Sequence, residues 1–155
     1  MSPGKDTAGV LLPPPFIFLA GLAIGSAAEW LWPAPLLPQS VQYAVGFSLM
    51  AVSAVIASLG FREFFRHRTP VEPHKPTESI ITSGPFRYSR NPLYLSLTLL
   101  YAGIAVAVDG IWILVLLAPV LIILHHGVIL REEAYLERKF PDVYPAYKAR
   151  VRRWL

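Results

Sequence analysis

The stretch IWILVLLAPVLIILHHGVIL, residues 111–130, runs for twenty positions without an Asp, Glu, Lys or Arg. A transmembrane α-helix needs about 20 consecutive apolar residues. Residues 41–61 form a second run of that length, and residues 16–32 and 93–108 form two shorter ones. Because these runs are continuous rather than alternating, helices are favoured over the strands of a membrane barrel. The sequence therefore predicts an all-α integral membrane protein with about four transmembrane helices.

The composition points the same way. Of the 155 residues 54% are hydrophobic and only 15% are charged, whereas a soluble domain has about 25% charged residues. A small soluble fold has too much surface for its volume to hide so many apolar side chains. We therefore expect one membrane domain over residues 1–155. The absence of cysteine excludes disulfides, thiolate metal sites and a cysteine nucleophile.

The basic residues are distributed unevenly along the chain. Lys5, six residues in the loop 62–91 and seven in the tail 131–155 account for all 14 Lys and Arg, and the connectors 33–38 and 109–110 carry none. By the positive-inside rule the loop, the tail and both termini are expected to be cytoplasmic. The net charge of +4 then reflects topology, so no nucleic-acid partner is expected. The compact length favours a bacterial inner membrane.

The loop contains a predicted helix start. Residues 69–76 carry three prolines and should be irregular, residues 79–82 should be extended, and residues 83–85 should form a turn. Asn91 then suits the N-cap position and Pro92 the first helical position. Such a helix start exposes free backbone N–H groups, which can bind a carboxylate or a phosphate.

Two adjacent carboxylates, Glu132 and Glu133, stand where the last apolar run ends. A helix C-terminus disfavours negative charge unless the helix continues into the tail. One interpretation is an ion pair with Arg131 or the loop arginines. The other is a functional carboxylate that binds a hydroxyl group or balances a cation.

The tail itself has apolar residues at helical spacing. We predict short amphipathic helices there, interrupted at Pro141 and Pro145, that pack on the membrane surface or on the loop. A metal site at His125 and His126 is not expected, because adjacent helical side chains point about 100° apart. The sequence has no nucleotide-phosphate loop, no Rossmann glycine pattern and no catalytic serine motif.

Two strings of residues carry a family resemblance. The first is ITSGPFRYSRNPLY, residues 81–94, and the second is REEAYL, residues 131–136, followed by Phe140, Tyr144, Tyr147 and the final RWL. Together they resemble the signature of the isoprenylcysteine carboxyl methyltransferase family in a compact, prokaryotic form. That family is related to the phospholipid N-methyltransferases.

The resemblance implies an integral membrane methyltransferase that uses S-adenosylmethionine. In that family the cofactor lies in a cytoplasmic pocket closed by the C-terminal segment, and a lipophilic substrate enters from the bilayer. Aromatic rings can flank a sulfonium, and the start of the third helix can take the methionine carboxylate. The resemblance and this chemistry together imply cofactor contacts at Glu78, Ile81, Phe86, Tyr88, Arg90, Asn91, Pro92, Leu93, Tyr94, Glu132 and Glu133.

Three positions depart from the family pattern. Asn91 stands where the eukaryotic members have His, Ser96 where many members have Gly, and Val128 where the isoprenylcysteine enzymes have a substrate-contacting Arg. His126 or Arg131 can replace that Arg, and His126 is the nearest base for an amine or thiol acceptor. These two residues are therefore the predicted catalytic residues.

The acceptor stays open at this point. An isoprenylcysteine-type carboxylate or a similar lipophilic acceptor is the first expectation, with membrane lipids as the other partners. A phospholipid methyltransferase, a small-thiol methyltransferase, a membrane oxidoreductase of the sterol-reductase type and a non-enzymatic membrane adaptor are the alternatives. A reductase would need a binding site for nicotinamide phosphates, which basic residues of the loop could supply.

Overall fold

The computed structural model describes residues 7–10, 12–69, 77 and 79–155. All regular structure in this part of the chain is helical, which confirms the predicted all-α class. A 3-10 turn, Gly84–Arg87, precedes the third helix, and a π-helical turn, His125–Ile129, follows the fourth. The α-helices are α1 Pro14–Leu31, α2 Gln39–Arg66, α3 Pro92–Ala107, α4 Ile111–Leu124, α5 Leu130–Lys139 and α6 Val143–Arg150.

Three helical segments of the described chain are long and apolar enough to cross a membrane. They are α1, α2 and the joined helix Ile111–Lys139. The apolar helix α3 has only 16 residues, which is shorter than a helix that crosses a bilayer upright. The membrane class follows from the three long helices, and a fourth span through α3 stays a prediction.

The helix that contains the last apolar run continues beyond that run. The segments α4, the π-helical turn and α5 join into one helix that reaches Lys139. The sequence predicted a span over about residues 111–130 and left open whether the helix continues into the tail, which it does. Glu132 and Glu133 lie in the first turn of α5, within the joined helix, so no helix C-terminus opposes their charge.

The two tail prolines behave differently. The helix α5 ends at Lys139, before Pro141, as predicted. Pro145 does not interrupt the tail, because it falls in the first turn of α6, Val143–Arg150. An N–H in the first turn has no intrahelical partner, so proline costs nothing there.

The helices pack in two pairs, α2 with α3 and α1 with α4. Glycines bring α2 and α3 together: a Cβ on Gly46 would lie 2.8 Å from the carbonyl oxygen of Gly103. Among the described residues the buried core cluster comes from α1, α3, α4 and the π-helical turn. Between α3 and α4, Asp109 accepts hydrogen bonds from the N–H groups of Leu36 and Leu37, which ties the α1–α2 connector to the α3–α4 turn.

Candidate active site

A cavity of about 540 Å³ lies where the start of α3 meets α5, α6 and the end of α2. Ligand-binding cavities typically measure roughly 300–1,000 Å³. Nine of the eleven predicted cofactor contacts line it: Ile81, Phe86, Arg90, Asn91, Pro92, Leu93, Tyr94, Glu132 and Glu133. Segments that are far apart in the sequence thus converge on one space, as the resemblance implied.

The segment before α3 is positioned by the end of α2. The Ser83 hydroxyl donates a hydrogen bond to the buried Glu63 carboxylate. Gly84 has a φ of +58°, and a Cβ there would lie 2.8 Å from the Glu63 Cγ, so a side chain does not fit. The following 3-10 turn buries Phe86, whose ring packs edge-on against Phe64 at 5.6 Å.

Tyr94 and Glu132 form the central polar contact of the cavity. The Tyr94 hydroxyl donates a 2.7 Å hydrogen bond to the Glu132 carboxylate. In the described part of the chain this is the sole polar partner of the Glu132 side chain, and no cation pairs with it. A carboxylate in a mainly apolar wall is stabilised by a cationic ligand. This pair therefore creates a site suited to positive charge.

Glu133, the next residue, has a different environment. Its carboxylate lies 3.0 Å from Arg90 Nη1 and accepts two hydrogen bonds from Arg153, at 2.9 and 2.8 Å. Glu133 and the Arg90 side chain are both buried. The Arg90 Nε is a buried donor without a partner in the described chain. The Arg90 Nε–H can thus donate a hydrogen bond to an anionic group in the cavity.

The last residues of the chain, 151–155, form a C-terminal strap over the start of α3. The carbonyl of Arg152 accepts a 3.0 Å hydrogen bond from the N–H of Arg90. The carbonyl of Arg153 accepts a 3.0 Å hydrogen bond from the side-chain amide of Asn91. Asn91 occupies the N-cap position as predicted, but its side chain makes no cap hydrogen bond. The strap uses that side chain instead.

Two tyrosines of α6 complete this side of the cavity. The Tyr147 hydroxyl donates a 2.7 Å hydrogen bond to the carbonyl of Phe86. Burial raises the pKa of Tyr144 to about 12 and raises the pKa of Tyr147 as well. Both hydroxyls therefore stay neutral near pH 7, and the Tyr144 hydroxyl accepts a 3.5 Å hydrogen bond from Arg90 Nη1. The sequence showed their helical spacing but gave no sign of these partners.

Some predicted residues do not reach the cavity. Tyr88 is 74% exposed and is absent from the cavity wall, so its ring cannot flank a sulfonium bound there. Arg131 is exposed and donates a 3.0 Å hydrogen bond to the carbonyl of Gly9. Glu78 lies outside the described residues. Neither Tyr88 nor Arg131 lines the cavity, and their functional roles stay predictions.

His126 also lies elsewhere. With His125 and Trp154 it lines a separate, smaller cavity. His126 lies six positions before Glu132 in the joined helix and is absent from the wall of the cavity that Glu132 lines. The assignment of His126 as a catalytic residue is therefore not supported. Val128, at the position of the family's substrate-contacting Arg, is buried in the helix core.

Sequence reasoning missed several residues of the wall. Tyr135 lines the cavity, and its hydroxyl accepts a hydrogen bond from the N–H of Thr77. Arg153, in the strap, was not foreseen as a partner of Glu133. The other partner, Arg90, is one of the loop arginines that the sequence offered for an ion pair. Long-range pairs of this kind leave no periodic signal in the sequence. Apart from Pro92, Leu93 and Tyr94, the apolar residues of α2 and α3 that line the cavity were predicted only as parts of membrane spans.

Comparison with known proteins identifies the family. The model of the family described as phospholipid methyltransferase matches residues 41–143, about two thirds of the chain. The protein belongs to the phospholipid methyltransferase family. It is thus a methyltransferase of the membrane type, although the narrower isoprenylcysteine subfamily is not established.

The chain is also similar to a shorter protein. Over 69 residues the chain is 42% identical to an uncharacterized protein from Haemophilus influenzae, an alignment that covers 41% of this chain and 100% of that protein. No solved structure matches the chain. The family match includes α3 and both glutamates but ends at residue 143, so α6 beyond its first residue and the C-terminal strap lie outside it.

Proposed function

We propose that this protein is an S-adenosylmethionine-dependent methyltransferase that acts on an amphipathic lipid acceptor. The observation that carries the proposal is Glu132, a carboxylate in a cavity wall that Tyr94 holds by a hydrogen bond and that no cation of the described chain neutralises. S-adenosylmethionine is a cation with a sulfonium and an ammonium group. The family match supports the same reaction.

The polar end of the cavity, which we define by Arg90, Tyr94, Glu132 and Glu133, fits such a cofactor. Glu132 balances the positive charge, and the unpartnered Arg90 Nε can donate to the methionine carboxylate. Phe86 and Tyr94, both in the wall, are the rings available for contact with a sulfonium. Ile81 and Leu93 supply apolar surface for the remainder of the cofactor. The proposal thus keeps nine of the predicted contacts and omits Tyr88.

The cofactor supplies an already activated methyl group, so the protein chiefly orients the reactants and excludes water. The C-terminal strap and α6 cover the polar end, which is consistent with that requirement. A carboxylate acceptor needs no general base. An amine acceptor must first lose a proton, and Glu132 is the cavity carboxylate that can take it, because Glu133 is held by two arginines.

Two acceptor classes follow from this geometry. An isoprenylcysteine-type carboxylate is the one implied by the sequence motifs. A phospholipid amine is the second candidate, and the description of the matching family favours it. Both are amphipathic, and transfer of labelled methyl groups to a panel containing both would distinguish them.

Calorimetric titration of the detergent-purified protein with S-adenosylmethionine tests the cofactor. We expect Glu132→Gln to weaken binding by about 10- to 100-fold, because a hydrogen-bonded charge is lost, and Glu132→Ala to abolish it. The matched control is Glu137→Gln, which changes an exposed carboxylate outside the cavity. Unchanged affinity in both Glu132 variants would refute the assignment.

The same titration separates the other functions. Binding of reduced nicotinamide dinucleotide phosphate instead of S-adenosylmethionine would favour an oxidoreductase. Binding of neither molecule would favour a membrane adaptor.

A further inference from the structure

The cavity extends from its polar end into an apolar arm between α2 and α3. We define this arm by five wall residues: Ser53, Ala57 and Phe61 of α2 and Leu97 and Leu100 of α3. From residue 53 to residue 61 a helix rises by about 12 Å. The arm is therefore long enough to hold an extended hydrocarbon segment.

The polar atoms inside the arm are already satisfied. The Ser53 hydroxyl donates a 2.6 Å hydrogen bond to the carbonyl of Ser96. The Ser96 hydroxyl donates a 2.7 Å hydrogen bond to the carbonyl of Leu93. By contrast, Arg90 at the polar end keeps an unpartnered donor. A ligand that fills the whole cavity must therefore be polar at one end and apolar at the other.

A contact between α2 and α3 closes the far end of the arm. Met50 lies about one helical turn beyond Ser53, and Gly103 lies about one turn beyond Leu100. These two residues touch: a Cβ on Gly103 would lie 2.7 Å from the Met50 Cγ and 2.8 Å from the carbonyl oxygen of Gly46. The helices leave no room beyond this contact.

We propose that the apolar arm holds the hydrocarbon chain of the acceptor and that Ala57 and Met50 set the longest chain that fits. The inference rests on the proposed function, since it takes the acceptor to be a lipid. Each methylene that enters the arm contributes about fourfold in affinity. A methylene that would have to pass Met50 contributes nothing. Affinity should therefore rise with chain length up to a break point and then stay level.

The break point can be measured by calorimetry on the full chain in amphipol, without a bilayer, with each probe kept below the concentration at which it forms micelles. The probes are lysophosphatidylethanolamines with acyl chains from about 8 to about 18 carbons, which differ only in the number of buried methylenes. Ala57→Leu fills the arm and should move the break point about two to three methylenes shorter. Met50→Ala opens its far end and should move the break point longer by a similar amount.

Ala51→Leu is the matched control. Ala51 is exposed on the same helix and does not line the cavity, so the same substitution there should leave the break point unchanged. Opposite shifts in the two arm variants, with no shift in the control, would support the proposal. Identical break points in all variants, an affinity that rises without a break, or no saturable binding of any probe would overturn it.

A parallel titration with S-adenosylmethionine separates this inference from the proposed function. If the unsubstituted protein does not bind S-adenosylmethionine, the methyltransferase proposal itself is refuted. Cofactor binding, together with a break point that neither Ala57→Leu nor Met50→Ala shifts, would refute only the proposed role of the arm.

Discussion

At the scale of single residues, Glu133 joins three segments of the chain. Its carboxylate binds Arg90 at the start of α3 and Arg153 in the C-terminal strap, while its backbone belongs to α5. The Arg90 side chain is only 8% exposed, whereas that of Arg153 is 31% exposed. Breaking a buried ion pair is costly mainly because it leaves a charge without a partner.

We therefore expect Glu133→Gln to lower the free energy of unfolding by about 3–5 kcal/mol, since it leaves the buried Arg90 unpaired. Arg153→Ala should cost less, because Glu133 keeps Arg90. Thermal unfolding in detergent would measure both changes. The exposed pair Glu137–Lys148, with N and O 2.6 Å apart, provides the control: Glu137→Gln should cost less than about 1 kcal/mol. Equal effects of the two glutamate variants would contradict this view of Glu133.

At the scale of elements, the contact between α2 and α3 depends on glycine. A Cβ on Gly46 would lie 2.8 Å from backbone atoms of Gly103 and Ala107, which cannot move without shifting α3. A Cβ on Gly127, in the π-helical turn, would meet nothing within 4 Å. The two glycines thus differ in what an added methyl group would touch.

Gly46→Ala is expected to destabilise the protein by about 1–3 kcal/mol, because it forces the two helices apart. Gly127→Ala should be neutral or stabilising by up to about 1 kcal/mol, because alanine favours the helix. Unfolding midpoints of the two variants, measured side by side, would test the difference. A loss of the same size at both positions would show that helix spacing is not the cause.

The π-helical turn His125–Ile129 joins α4 to α5. Deleting Gly127 should let the helix continue as a regular α-helix, since a π-helical turn accommodates an extra residue. The deletion removes that residue together with its share of the turn, so Glu132 should still face Tyr94. We expect unchanged helix content by circular dichroism together with retained S-adenosylmethionine binding. Loss of binding in a folded deletion variant would contradict this view of the turn.

At the scale of the whole molecule, the orientation of the protein in the membrane is a prediction that thiol labelling can test. The basic residues of the loop and the tail predict that both face the cytoplasm. The chain has no cysteine, so a single introduced thiol can report the side of the membrane. Ser40→Cys, at the exposed start of α2, should react with a membrane-impermeant maleimide on intact cells. Asp142→Cys, in the tail, should react only after permeabilisation. Reaction of both before permeabilisation would contradict the four-span topology.

The polar end of the cavity combines segments that the family match includes with segments beyond it. The match contains α3 and α5 but ends at residue 143, while Tyr147 and the strap hold the start of α3 from outside that range. Covering this end of the cavity thus depends on the last residues of the chain.

The sequence by itself determined the membrane class, most of the helices and the two strings of residues that meet at the cavity. It could do so because apolar length and the local choice of Asn91-Pro92 at a helix start are properties of neighbouring residues. Only the tertiary structure decided that Glu132 pairs with Tyr94, that Arg153 binds Glu133, and that His126 does not line the cavity. These outcomes depend on helix rotation and on contacts between distant segments. Desolvation and side-chain packing determine both, and neither can be predicted from a local sequence pattern.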